Sequence, residues 1–330
     1  MTATTPRRSS TALRRYTDQL DEIFRRAANK HEAHRLSSPV MAELVADPEF
    51  LTATLEKHLS KPGSLNARNY PVVALEVETN PYYELVINCW IPLPSGDTDL
   101  TTKAIHHHGE LLLTTGTAFG PGYEHWMLAR PEPIDPEQSL YSMRLLDHGQ
   151  HGLHDVAFVD AYVAHVPMYS PSLTITVCLW SSRAAKSWKD SLKRIEALRR
   201  RRDSLRGFLV RLGMAKALDL KVVELHDYRP ADGGFIGMKE REEFALGPNE
   251  DHLHSLFHII QQTGNERLAD LIEARLREDD ADNPETASAL QARLRNGEPI
   301  EGRLSQGHFD MAHANFRAAD IEHALATQPS

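Results

Sequence analysis

The chain has 330 residues, of which 41% are hydrophobic and 25% are charged, the usual composition of a globular protein that folds in water. Its net charge of −9 offers no basic field of the kind that binds nucleic acid, and no apolar run approaches the about 18 residues of a membrane span. The two cysteines, Cys89 and Cys178, cannot form a disulfide framework. Because residues 1–10 also lack the apolar segment of a signal peptide, we expect a cytoplasmic protein.

The first part of the chain is predicted to be helical. Residues 1–10 are polar and are expected to form a disordered tail, followed by N-terminal helices over residues 11–69. Apolar side chains recur there at steps of three and four, which places them on one face of a helix; they are Leu13, Tyr16, Leu20, Ile23, Phe24 and Ala27. Two further helices are expected near residues 40–45 and 48–59.

Residues 70–182 have the character of β-strands. Short apolar and β-branched runs are separated by clusters of proline, glycine, aspartate and serine, with no helical pattern between them. The predicted strands are 72–77, 82–91, 104–114, 123–129, 140–146, 156–165 and 172–180. Consecutive short strands without intervening helices favour an antiparallel sandwich or barrel.

The remaining residues, 183–330, are predicted to form a C-terminal helical region. Helical spacing of apolar residues returns in several segments, namely 186–212, 250–262, 266–277, 284–294 and 309–325. The expected fold is therefore a mainly β core with α-helical additions at both ends.

Three consecutive histidines occur in the predicted strand 104–114. Because side chains alternate between the two faces of a strand, His106 and His108 face one side and His107 faces the other. Glu110 is expected on the same face as His106 and His108. Imidazoles grouped with a carboxylate suit a divalent transition metal. The pattern predicts a metal site with His106 and His108 as ligands, and with Glu110 as a ligand, a group that orients a histidine, or a catalytic acid or base.

A metal held by two imidazoles needs a third group from elsewhere in the fold. His165 is the favoured third ligand, because a short turn joins its predicted strand to the strand 172–180, so a hairpin can place it beside the histidine strand. His154, which precedes another strand, and His125 in a neighbouring strand are the alternatives. Three neutral imidazoles could hold Fe(II) or another divalent ion and leave coordination positions open for a substrate and O2.

These residues resemble a known family. The run from Leu85 to Trp90, followed by a loop and by Ile105-His-His-His108, is similar to the Cys-Trp…Ile-His-x-His stretch of cysteine-dioxygenase-like cupins. His165 with the following Ser172-Leu173 resembles the second motif of that family. The resemblance covers residues 82–180. It implies a double-stranded β-barrel over residues 70–182, Fe(II) bound by three histidines, and O2-dependent oxidation of a small molecule.

The same resemblance suggests catalytic candidates. Ser172 retains the serine of the family's serine–histidine–tyrosine relay, whereas Thr174 and Thr176 stand at the other two positions. Glu84 stands where the family has an arginine for the substrate carboxylate. Tyr169, which is expected near the mouth of the barrel, could act like Glu110 as an acid, a base or a substrate anchor.

Two other functions fit the same pattern. One is a non-catalytic cupin that binds a metal or small molecule and uses its helical half to engage a protein partner. The other is a Zn- or Ni-dependent cupin isomerase or lyase, which needs no O2. The expected partners of the oxygenase are a small-molecule substrate and O2, and neither nucleic acid nor a membrane is expected. For the oligomeric state, a homodimer is an alternative that the sequence leaves open.

Overall fold

The computed structural model describes residues 6–67, 72–181, 226–238, 248–278, 281–304 and 315–329. The helix predicted over residues 186–212 lies outside the described residues. Within the described part of the chain, no helix combines the length and apolarity that crossing a membrane requires.

Three helices precede the β core: α1 (Pro6–Arg26), α2 (Lys30–Val45) and α3 (Pro48–Leu59). The Asn29 side chain caps α2 by accepting from the backbone N–H of Glu32, and the Asp47 side chain caps α3 in the same way. The expectation of a disordered tail is wrong for residues 6–10, which belong to α1. Once the apolar stripe of α1 is anchored, each further residue adds a backbone hydrogen bond without needing an apolar side chain.

Thirteen strands are described, and they form two sheets: β1 (Val73–Thr79), β2 (Tyr83–Trp90), β3 (Ile105–His107), β4 (Leu113–Phe119), β5 (Tyr123–Leu128), β6 (Glu132–Asp135), β7 (Leu140–Ser142), β8 (Leu145–His151), β9 (Val156–Val159), β10 (Ala164–Pro167), β11 (Thr174–Ser181), β12 (His226–Ala231) and β13 (Gly234–Gly237). One sheet has the order β1-β2-β11-β4-β9 and the other β6-β7-β13-β12-β3-β10-β5-β8. All neighbouring strands within these sheets are antiparallel. The architecture is a double-sheet jelly roll, the arrangement found in cupins. The predicted β core is confirmed.

The C-terminal region contributes strands as well as helices. The hairpin β12–β13 pairs with the edge of β3, so that His226 lies opposite His107 and Asp227 opposite His106. Only helices were predicted in this region. The dipeptide Asp232-Gly233 between the two strands is a strong hairpin signal that this expectation overlooked.

Among the described residues, four α-helices follow the hairpin: α4 (Asn249–Gln262), α5 (Ala269–Arg277), α6 (Pro284–Asn296) and α7 (Ala318–Thr327). They lie close to the predicted segments. The helix α7 falls in the second half of the segment predicted over residues 309–325, of which residues 309–314 lie outside the described residues. Ile321 and Ala324 of α7 are buried in a cluster with Tyr228 and Phe235 of the hairpin. Helices from both ends of the chain therefore flank the β core, as predicted.

The main hydrophobic core lies between the five-stranded sheet and the helices. Ile175, Val177 and Leu179 of β11 are buried in it, together with Leu85 and Ile87 of β2. The alternate residues of the same strands face the opposite side of this sheet, toward the eight-stranded sheet. The space between the two sheets is where the histidine strands place their side chains.

Candidate metal centre

Strand pairing sets the position of the first two histidines. His106 on β3 lies directly opposite His165 on β10, and their ring centroids are 4.4 Å apart. Directly opposed residues of antiparallel strands project to the same face, so register alone brings these two imidazoles together. Two histidines separated by almost sixty residues in the sequence become neighbours.

A turn, rather than a strand, sets the position of the third histidine. β3 ends at His107, and Gly109 adopts the left-handed conformation, with φ 60°. His108 lies at the start of this turn, with its ring centroid 4.8 Å from that of His106 and 5.1 Å from that of His165. The indole of Trp180 packs edge-on against His108 at 4.4 Å and limits where its ring can go.

The three histidines form a group that could hold one metal ion. Each offers a ring nitrogen, and these nitrogens all lie within 4.8 Å of one another. Metal–imidazole bonds of about 2.0–2.1 Å predict a separation of about 4 Å or less. The structure thus brings together the three residues selected from the sequence, in a spacing slightly wider than expected, and the rings must close a little to share an ion.

Backbone carbonyls orient two of the rings. His106 Nδ1 lies 3.0 Å from the carbonyl oxygen of Ala104, and His165 Nδ1 lies 3.3 Å from that of Val163. A carbonyl can only accept, so each Nδ1 carries the proton and each Nε2 presents its lone pair. His106 Nε2 is buried and has no hydrogen-bond partner among the described residues. A buried nitrogen without a partner is costly, and a metal ion would satisfy it.

Burial keeps the imidazoles of His106 and His165 neutral. Loss of hydration lowers the pKa of both His106 and His165 well below the ordinary value, and the nearby Lys103 ammonium lowers both further. Neutral imidazole is the form that binds metals. The residues therefore fit a divalent ion by burial, by tautomer and by protonation state.

His107 faces the other side of β3, as alternation predicts, but it is buried rather than exposed. Its Nε2 lies 3.2 Å from the Tyr228 hydroxyl, and its Nδ1 accepts from the backbone N–H of Gly109 at 3.1 Å. The Gly109 carbonyl in turn accepts from the N–H of Tyr162 at 2.8 Å. His107, on the opposite face of β3 from the metal cluster, thus stabilises the turn that contains His108.

The other predicted site residues lie elsewhere. The expectation that Glu110 shares a strand face with His106 and His108 is wrong, because the chain turns after His107 and leaves Glu110 exposed. Ser172 is exposed in the loop before β11, whereas Tyr169 is buried in the main core. Catalytic roles for Glu110, Tyr169 and Ser172 stay predictions.

The two alternative third ligands are also located. His154 is exposed in a turn with a left-handed backbone (φ 65°) and is not part of the metal cluster. His125 lies on β5 with its ring centroid 5.6 Å from that of His165, so it borders the cluster without belonging to it.

The polar residues of the facing sheet were not among the predicted site residues. Cys178 of β11 contacts Asn88 Nδ2 at 3.4 Å and Thr115 Oγ1 at 3.6 Å, and the Trp90 indole donates to Thr176 Oγ1 at 3.0 Å. Strand alternation separates these side chains from the apolar residues of the main core. The alternation of polar and apolar residues from Thr174 to Trp180 was the sequence signal that could have identified this polar face.

No family model matches the chain, and no curated protein matches its sequence. Solved structures do show similarity. An uncharacterized conserved protein with a double-stranded β-helix domain from Klebsiella pneumoniae matches at 15% identity and a TM-score of 0.24, over 40% of this chain and 90% of that one. The DMSP lyase DddQ from Ruegeria pomeroyi matches at 12% identity and a TM-score of 0.22, over 35% of this chain and 49% of that one.

An RmlC-like cupin from Shewanella frigidimarina matches at 12% identity and a TM-score of 0.21, over 34% of this chain and 78% of that one. At such TM-scores the similarity supports no inference about reaction or substrate. Two of these neighbours are described as a double-stranded β-helix protein and as an RmlC-like cupin. The closer likeness to cysteine-dioxygenase-like cupins stays a prediction.

Proposed function

We propose that the protein is a metal-dependent cupin oxygenase that holds Fe(II) through His106, His108 and His165 and oxidises a small molecule with O2. The observation that carries this proposal is the cluster itself: three imidazoles between the sheets, with their ring nitrogens within 4.8 Å of one another. The buried Nε2 of His106, which has no partner among the described residues, supports it.

The histidines would occupy one side of the ion and leave the other side open. Fe(II) in such a setting supplies O2-dependent oxidation of a bound substrate. The protein's own part is to keep His106 and His165 neutral and oriented, which burial and the carbonyls of Ala104 and Val163 do. The Trp180 indole limits the position of the His108 ring.

Apolar side chains exclude water beside the cluster. Leu113 and Val159 are buried there with Cys178, and the partly buried Val163 and Trp180 pack against them. Because Trp180 also contacts His108, this apolar wall borders the proposed site. Exclusion of water protects reactive species from side reactions. A cytoplasmic location and a homodimer belong to the proposal as well.

Metal content combined with O2 uptake tests the function. The full chain, purified without a histidine tag, is reconstituted anaerobically with Fe(II), analysed for metal, and assayed for O2 consumption with a library of small molecules. The proposal expects about one iron per chain and substrate-dependent O2 uptake that His106→Ala abolishes. Stoichiometric zinc or nickel with turnover but no O2 uptake would identify an isomerase or lyase instead. A chain that binds no metal and consumes no O2 would identify a binding protein.

A further inference from the structure

Tyr162 has a strained backbone conformation beside the metal cluster. It is the third residue of the turn 160–163, which the Val163 N–H closes by donating to the Asp160 carbonyl at 3.2 Å. Its φ of 62° lies in the left-handed region, where a side chain is strained and glycine is the usual residue. Such strain persists only where the surroundings hold it, and it concentrates at functional sites. The turn alone would favour glycine, so the tyrosine side chain must contribute something that glycine cannot.

The turn 160–163 contacts the segments that carry two of the metal ligands. The Tyr162 N–H donates to the Gly109 carbonyl at 2.8 Å, in the turn that contains His108. The Val163 carbonyl lies 3.3 Å from His165 Nδ1 and orients that ring. One short turn thus supports two ligands from different segments of the chain, and its conformation affects the position of both.

The Tyr162 side chain packs against two groups. Its ring centroid lies 5.7 Å from that of His107, whose Nδ1 accepts from the Gly109 N–H at 3.1 Å. The guanidinium carbon of Arg130 lies 4.3 Å from the centroid of the Tyr162 ring, within the range of a cation–π contact. Gly109 is therefore held at its N–H by His107 and at its carbonyl by Tyr162. The ring contacts keep the tyrosine backbone in the left-handed region in spite of the strain.

We infer that Tyr162 is a positioning residue for the metal ligands His108 and His165, and that Arg130 supports it by holding its ring. The inference rests on the proposed function, because it concerns the ligands of the proposed metal site. A glycine at this position would relieve the strain, but it would also be free to leave the left-handed region. Its N–H would then no longer donate to the Gly109 carbonyl. The tyrosine keeps the two ligands at a fixed spacing, although its own backbone is strained.

The Tyr162→Gly variant separates positioning from general stability. Because glycine relieves the left-handed strain, the thermal unfolding midpoint should stay level or rise. The Co(II) affinity of the full chain, measured by competition with a chelator, should nevertheless fall by about tenfold, within the range of outer-shell effects. Tyr162→Phe keeps the ring and should bind Co(II) as the wild-type chain does.

His154→Gly is the matched control for the backbone change. His154 is also left-handed, with φ 65°, and its N–H donates to the Thr117 carbonyl at 2.8 Å, but it is not part of the metal cluster. This variant should leave the Co(II) affinity unchanged. Arg130→Met should weaken Co(II) binding by about two- to fivefold, the scale of an exposed cation–π contact. Arg130→Lys, which keeps the cation, should restore most of that loss.

Amide hydrogen exchange of the metal-free chain gives a readout that does not depend on the metal. Protection of the residue 162 amide should fall by about tenfold in Tyr162→Gly, because its bond to the Gly109 carbonyl opens more often. Unchanged protection, unchanged Co(II) affinity, or a loss of affinity that parallels a fall in the thermal midpoint would overturn the positioning role while the metal site stands. A wild-type chain that binds no Co(II) would instead refute the metal site of the proposed function, and the inference with it.

Discussion

His106 and His165 lie directly opposite each other on neighbouring antiparallel strands, and each donates its Nδ1 proton to a carbonyl two residues earlier in the chain. This symmetry directs both Nε2 lone pairs to the same side of the sheet. The pairing fixes two ligands through backbone register, so the site depends on the fold of β3 and β10 more than on any flexible loop.

The pairing predicts that His165 is essential for metal binding and that His154 is not. His165→Ala should lower metal affinity by more than about 100-fold, because the loss even of outer-shell partners costs about 10–100-fold. His154→Ala is the matched control, since it removes an exposed imidazole from a turn. Competition with a metal-sensitive chelator gives the affinities. Equal losses in the two variants would show that the cluster has been misassigned.

His107 is predicted to act on the metal site indirectly. Its Nδ1 holds the N–H of Gly109, in the turn that carries His108, so His107→Ala should weaken metal binding by about tenfold, within the range of outer-shell effects. Tyr228→Phe, which removes only the hydroxyl on the other ring nitrogen, should have a smaller effect. The chelator competition used for His165 measures both. A His107→Ala variant as defective as His108→Ala would mean that His107 is itself a ligand.

Protein stability is predicted to fall in mild acid, partly because of His34. Burial, followed by the charges of His31 and Lys30, lowers the pKa of His34 from 6.5 to about 4 in the folded chain. The unfolded chain therefore takes up this proton first as the pH falls. The stabilisation that neutral, buried His34 gives the folded chain is fully present above pH 6.5. It is lost progressively as the pH falls toward 4, which lowers the free energy of unfolding by about 3 kcal/mol at most.

Urea unfolding at several pH values measures this contribution. His34→Gln should flatten the dependence of the unfolding free energy on pH between 6.5 and 4, whereas His154→Gln should preserve it. The Thr114 Oγ1 lies 2.8 Å from His34 Nδ1, and the glutamine side chain retains a group that can hydrogen-bond to it. An unchanged slope in His34→Gln would assign the acid sensitivity to other groups.

Two glycines near the β5–β8 edge predict opposite responses to alanine. Gly122 has φ 82°, and an added Cβ would lie 1.9 Å from the carbonyl oxygen of His151, so Gly122→Ala should destabilise the protein by about 1–3 kcal/mol. An added Cβ at Gly149 in β8 would meet nothing within 4 Å, so Gly149→Ala should be neutral or slightly stabilising. Thermal unfolding midpoints compare the two. Similar midpoints for both variants would contradict the turn geometry at Gly122.

The sequence predicted those parts of the site that depend on local alternation. The β core and the shared face of His106 and His165 followed from apolar patterning and from a motif. The end of β3 could not be predicted from the same patterns, because the left-handed turn at Gly109 places Glu110 outside the strand. The β12–β13 hairpin was also missed, since it joins β3 across more than a hundred residues, and such long-range register leaves little trace in local periodicity.

The central claim is that one metal ion is shared by His106, His108 and His165. X-ray absorption of the full chain loaded with Fe(II) measures it most directly, because imidazole rings give a characteristic multiple-scattering signal that counts histidine ligands. The account predicts three histidine ligands in the wild-type chain and two in His165→Ala, in whatever fraction retains iron. A wild-type spectrum without histidine scattering, or a histidine count that His165→Ala leaves unchanged, would contradict it.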